Sequence, residues 1–419
     1  MGFDLTEILI LIIILIFSIV AGIFSAAIYR RTSRGIRYRN LDRARNLYSN
    51  KVGKYLDSGN IQTTISELAS RANTTEWHAM EEVLLDMMEQ ANHADKIKVL
   101  LLELGYVDYY ERRLGKNNII KRASAIYKLG KMRCERSTWK LIPYLKDGNP
   151  EIVTVTIRSL SKIGMPIGLV SILDEIPNIL TKPLSSKKTL ENSIANFGAV
   201  SIPYLVEYGG KYTDPLCKSL ALDILSTLKA TEAVPLALSC MSDQDPEVRA
   251  KSLKVICTAG NDLKISDTCR VMDLLSDPAW FVRLQAAKTL GSLRNEKTAD
   301  KLGDALLDSN WQVRNAAATA LTKFGNRSLH IFLGTLLYKD RYAKESICEE
   351  IQRTGFIDAL LENMNSKDMC VYRKSRQILQ IMSSLNYSTP LSEYIDTGPD
   401  DNIKGELDVI IHQDHPPAP

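Results

Sequence analysis

A chain of 419 residues with 24% charged and only 7% aromatic side chains leans toward helices rather than sheets. Its net charge of +4 is unevenly spread: −2 over residues 1–29, +8 over 30–54, −6 over 393–419 and +4 over the long middle, which is near neutral for its size, so no nucleic-acid partner is expected. The seven cysteines are odd in number, widely spaced and contain no CxxC, and the five histidines form no HExxH, so a disulfide framework, a metal site and a cofactor are not expected.

In chain order, the first element is an uncharged run of 21 residues from Ile8 through Leu15 to Ile28. At about 1.5 Å per residue it is long enough to span a hydrocarbon core of about 30 Å. Asp4 and Glu7 precede it, while Arg30, Arg31, Arg34, Arg37 and Arg39 follow it, the reverse of a signal peptide. The positive-inside bias then predicts a single-pass anchor over 1–29 with its N-terminus outside and the rest of the chain cytoplasmic. The basic juxtamembrane segment 30–54 is expected against anionic lipid headgroups.

Residues 55–113 are helical by pattern and form a cap region. Beyond it a helical unit recurs. Ile126, Leu160, Ile194, Leu225, Ile256, Leu290, Leu321, Ile351 and Leu379 occupy equivalent places, separated by 34, 34, 31, 31, 34, 31, 30 and 28 residues. Three residues after each stands a mostly apolar residue, the spacing of a buried helical stripe. Gly130, Gly164, Gly198, Gly260, Gly325 and Gly355 follow one residue later, where a helix stop calls for a left-handed residue. Asp147–Pro150, Asp243–Pro246 and Ser276–Pro278 supply caps and prolines at helix starts. A second, shorter apolar helix lies between successive units. Such hairpins cannot bury their apolar faces alone and must stack, which predicts an all-α solenoid of about nine hairpins over 114–385 with an extended concave surface. The tail, 386–419, holds several prolines and acids and is expected to be disordered.

Asp245-Pro246-Glu247-Val248-Arg249, Phe281-Val282-Arg283-Leu284-Gln285-Ala286-Ala287 and Trp311-Gln312-Val313-Arg314-Asn315-Ala316-Ala317 together resemble the signature of short microbial HEAT repeats. The resemblance covers about residues 115–385 and departs from the pattern at Glu191, where a small apolar residue is usual. It implies that Arg249, Arg283 and Arg314, which share one position, form a hydrogen-bonded ladder between neighbouring repeats. Trp280 and Trp311, two residues before equivalent valines, have two readings: packing against the next loop, which is favoured, or an exposed aromatic ridge for a partner.

No catalytic motif stands out, so the chain reads as a scaffold that holds a protein partner at the membrane rather than as an enzyme. Residues 104–114 leading into 121–130 resemble a family of bacterial membrane-anchored HEAT proteins, which implies a partner among membrane glycosyltransferases of surface-polysaccharide synthesis. The alternative is a HEAT-fold enzyme of bilin-lyase or DNA-glycosylase type.

Overall fold

The computed structural model describes residues 42–56 without Ala44, 61–89, 93–260 and 263–414, together with Ser18, Gly22, Phe24 and Ser25. All regular structure among these residues is helical. The chain divides into two compact units, one of residues 1–175 with 179–185, the other of 176–178 with 186–419.

The first unit runs through α1 (Ile61–Leu68), α2 (Thr75–Glu89), α3 (Ala94–Glu103), α4 (Tyr106–Leu114), α5 (Ile119–Lys131) and α6 (Pro150–Ile163). Trp77, Met80, Leu84, Tyr106 and Tyr110 are buried where α2 meets α4, with the Trp77 and Tyr106 ring centroids 4.2 Å apart. The anchors Ile126 and Leu160 are fully buried, and α5 packs along α6. That packing is close at Gly130, where a Cβ would lie 2.5 Å from the Ser159 Cβ. Gly130 thus sits inside a helix for want of room, and the left-handed residue after α5 is Arg133. The expected helix-stop role does hold a positive φ at Gly164, Gly198, Gly325 and Gly355, but not at Gly260.

The second unit begins with α7 (Lys187–Ala195), α8 (Ile202–Lys211), α9 (Pro215–Thr227), α10 (Val234–Cys240), α11 (Pro246–Ala259), α12 (Ile265–Asp273) and α13 (Trp280–Leu293). It continues through α14 (Ala299–Asp304), α15 (Trp311–Thr322), α16 (Leu329–Leu337), α17 (Arg341–Arg353), α18 (Phe356–Glu362) and α19 (Met369–Ser384). Helices α9, α11, α13, α15 and α17 pack each on the next as a solenoid-like stack, with a shorter helix or 3-10 turn between successive members. Their starts follow the sequence: Asp214, Asp245, Asn310 and Asp340 accept backbone N–H groups of the first turn. Every anchor from Ile194 to Leu379 is fully buried.

Two expectations are corrected. The tail is not disordered over the described residues, since Thr389–Thr397 (α20) and Asp401–Asp414 (α21) are helices. Ile403, Leu407 and Ile410 are spaced as one helical stripe, and with Leu391 they are buried as α21 packs on α19 and α20. The single-pass localisation is also overturned. No helix among the described residues is long and apolar enough to cross a membrane. The longest helices over residues 61–414 have 16 residues, against about 20 for a span. Ile8, Leu15, Ile28, Arg30, Arg31, Arg34, Arg37 and Arg39 lie outside the described residues.

Candidate partner-binding site

The turns ahead of α11, α13 and α15 are each built around one aspartate. Asp243, Asp277 and Asp308 each accept the backbone N–H of the residue two positions on, at 3.0, 2.9 and 2.8 Å. Each carboxylate also takes a cation from the preceding repeat. Lys218 reaches Asp243 at 2.8 Å. Arg249 forks onto Asp277 at 2.8 and 3.0 Å, and Arg283 onto Asp308 at 2.6 and 2.8 Å. The other guanidinium nitrogen, Nη1, donates to carbonyls of the arginine's own turn, Asp243 and Gln244 for Arg249, Asp277 and Pro278 for Arg283. One side chain therefore ties its own turn to the next, through charge-assisted bidentate geometry that lysine at 218 cannot reproduce.

Burial alone would raise the Asp308 carboxyl, but hydrogen bonds from Arg283 and the Asn310 N–H outweigh it and hold the group below the usual carboxylate range. Asp243 is lowered for the same reasons, by Lys218 and the Asp245 N–H acting against burial.

Arg314 breaks this series. Its Nη1 donates to the carbonyls of Asp308 and Ser309 as before, at 2.9 and 3.4 Å. The position matching Asp277 and Asp308 in the following turn is Tyr338. Arg314 Nε is buried without a hydrogen-bond partner, and the Tyr342 ring centroid stands 5.8 Å from the guanidinium carbon.

Around this point the surface is unusually apolar. Trp280 is 40% exposed, Leu307 43%, Trp311 60%, Tyr338 62%, Tyr342 67% and Leu337 69%. Trp280 and Trp311 open α13 and α15, Leu307 ends the 3-10 turn before α15, Leu337 ends α16, and Tyr338 follows it in the turn before α17. The row thus lies along matching ends of three successive repeats. Of the two readings for the tryptophans, the structure leaves both indoles open to solvent. Lys218, Asp308, Tyr338 and Tyr342 escaped the sequence reading, and Asp243 and Asp277 entered it only as parts of helix-start motifs. Counting seven residues back from anchor Leu225 would have found Lys218, but exposure at 338 and 342 has no local sequence signal.

Elsewhere, the chemistry looks structural. All seven cysteines are free, and burial pushes the Cys217 thiol up to about 11 and the Cys348 thiol up to about 12, away from thiolate reactivity. Among the described residues no group of three His, Cys, Asp or Glu could hold a metal ion. In the first unit, buried Glu81 accepts from the Tyr110 hydroxyl and pairs with Lys128, and Glu111 holds Ser137, Arg136 and Lys140.

The second unit is thus a helical-repeat stack with exposed aromatic side chains at the starts of α13 and α15. Residues 270–352 match the family described as HEAT repeats, a stretch that contains the two motifs from Phe281 and Trp311. No curated protein sequence matches the chain. Among solved structures, Kap121p bound to Nup53p is similar at 11% identity and a TM-score of 0.43, covering 86% of this chain and 50% of that one. Kap121p bound to RanGTP is similar at 12% and 0.39, covering 89% and 56%. An engineered protein is similar at 13% and 0.33, covering 84% and 98%. The chain thus spans about half the length of the two Kap121p structures.

Proposed function

We propose that this chain is a non-catalytic helical-repeat scaffold that binds a protein partner through the row formed by Trp280, Leu307, Trp311, Leu337, Tyr338 and Tyr342. One observation carries the reading: Trp280 and Trp311 stand open to solvent at the first position of consecutive stacked helices, and Leu307 and Leu337 are exposed four residues before the starts of α15 and α17. Exposed apolar residues are ordinary when scattered, but contiguous ones mark interaction surfaces, and Trp and Tyr dominate binding hot spots. The stack beneath supplies rigidity, so little ordering is lost on binding.

A photo-crosslinking amino acid placed at Trp311, and in a second protein at Tyr338, tests this in cells of the native host. A discrete protein adduct is expected from both positions and absent from a probe at exposed Glu232 on the same unit. Equal labelling from all three positions, or none from 311 and 338, would sink the reading. The adduct also identifies the partner, and a glycosyltransferase there would match what the resemblance of residues 104–130 implies.

A further inference from the structure

The interrupted ladder carries an inference about what the partner presents. It rests on the scaffold reading above. Three arginines occupy one position in successive repeats and hold their own turns in the same way, through Nη1 on two carbonyls. In the first two, the remaining edge of the guanidinium, Nε and Nη2, takes both oxygens of an aspartate from the next turn. In the third, that turn offers Tyr338, and Nε stays buried with no acceptor. A guanidinium N–H buried without an acceptor is costly to leave so, and a carboxylate arriving from outside recovers at Nε what the other rungs already have.

We infer that Arg314 is a receptor for an acidic side chain of the protein partner: an aspartate or glutamate, carried on a segment whose adjacent apolar residue lies against Trp311 and Leu337, takes the position that Asp277 and Asp308 fill in the preceding rungs. Tyr342, exposed and standing over the guanidinium, moves aside as the carboxylate enters. The charges around the site suit an acid. Lys339, Arg341 and Lys344 follow Tyr338 closely in the chain, against Asp340, which caps α17, and Glu345, which is held by Arg341 at 2.7 Å, and the Asp308 carboxylate near Arg314 is already held by Arg283. Lysine at 314 would keep the charge but lose the fork.

Two measurements test this. The first needs no ligand. Tyr338→Asp places in cis the carboxylate that the rung lacks, so the urea midpoint of the wild type should rise with this substitution, while that of an Arg314→Ala protein should not. If Tyr338→Asp lowers both midpoints equally, the vacant-rung geometry is wrong. The second uses a phage-displayed random dodecapeptide library selected on the full chain. Selected peptides should share an acidic residue beside an apolar one. They should bind at least tenfold more weakly to Arg314→Lys and to Tyr338→Asp, and unchanged to a chain altered at exposed Glu232, outside the row. Peptides without an acid that depend on Trp311 but not on Arg314 would overturn this inference and leave the scaffold reading standing. Peptides that depend on neither, or no selected peptide at all, would overturn both.

Discussion

At the residue scale, the ladder arginines differ in what they hold, and their removal should differ accordingly. Arg283→Ala strips Asp308 of a two-point, charge-assisted partner and should lower unfolding free energy by about 2–3 kcal/mol. Arg314→Ala should cost clearly less, because no carboxylate is left behind. Urea unfolding of the two proteins side by side gives the comparison, and equal losses would mean that the fork adds nothing beyond the carbonyl contacts. The lowered carboxyls of Asp243 and Asp308 add a pH dependence. A depressed pKa contributes stability that is complete above the unfolded value, near 4, and is lost as pH falls through the folded value. The urea midpoint should therefore drop below about pH 4, and Asp308→Asn should flatten part of that drop.

At the element scale, helix spacing sets which glycines matter. At Gly291 a Cβ would meet the Ala320 Cβ at 2.6 Å, so α13 and α15 touch backbone to side chain there. Gly291→Ala should push the helices apart and cost about 1–3 kcal/mol. Gly334, inside α16, has nothing within 4 Å of its would-be Cβ. There alanine should stabilise by about 0.5–1 kcal/mol through lost freedom in the unfolded chain. Thermal or urea unfolding with opposite signs for the two substitutions is the expected result. Both positions read as plain glycines in helical stretches, and only the neighbour across the gap separates them.

At the scale of the whole molecule, stacked repeats are stabilised by their neighbours, so loss of a terminal element should act locally. A chain ending after Tyr387 lacks α20 and α21 and with them the buried Leu391, Ile403, Leu407 and Ile410. At about 1.5–3 kcal/mol per buried side chain, the loss is large enough to open α19. Amide exchange should quicken in Met369–Ser384 and stay slow in α11 and α13, whose partners are untouched. Uniform quickening across the second unit would show instead that it unfolds as one block.

The sequence by itself determined the helical class, the recurrence of nine buried anchors and most helix starts, because each depends on residues within a turn or two of one another: a capping side chain, a proline, an apolar stripe. It misjudged the acidic tail, where charge between apolar positions concealed the stripe of Ile403, Leu407 and Ile410, and it led to a membrane localisation that no described helix supports. Only the tertiary structure decided that Arg249 and Arg283 find aspartates 28 and 25 residues away, that Arg314 finds none, and that Trp280 and Trp311 stand in solvent. The physical reason is distance along the chain: a partner one repeat away is set by the stacking offset between helices, and that offset comes from packing at residues such as Gly291 rather than from any local pattern.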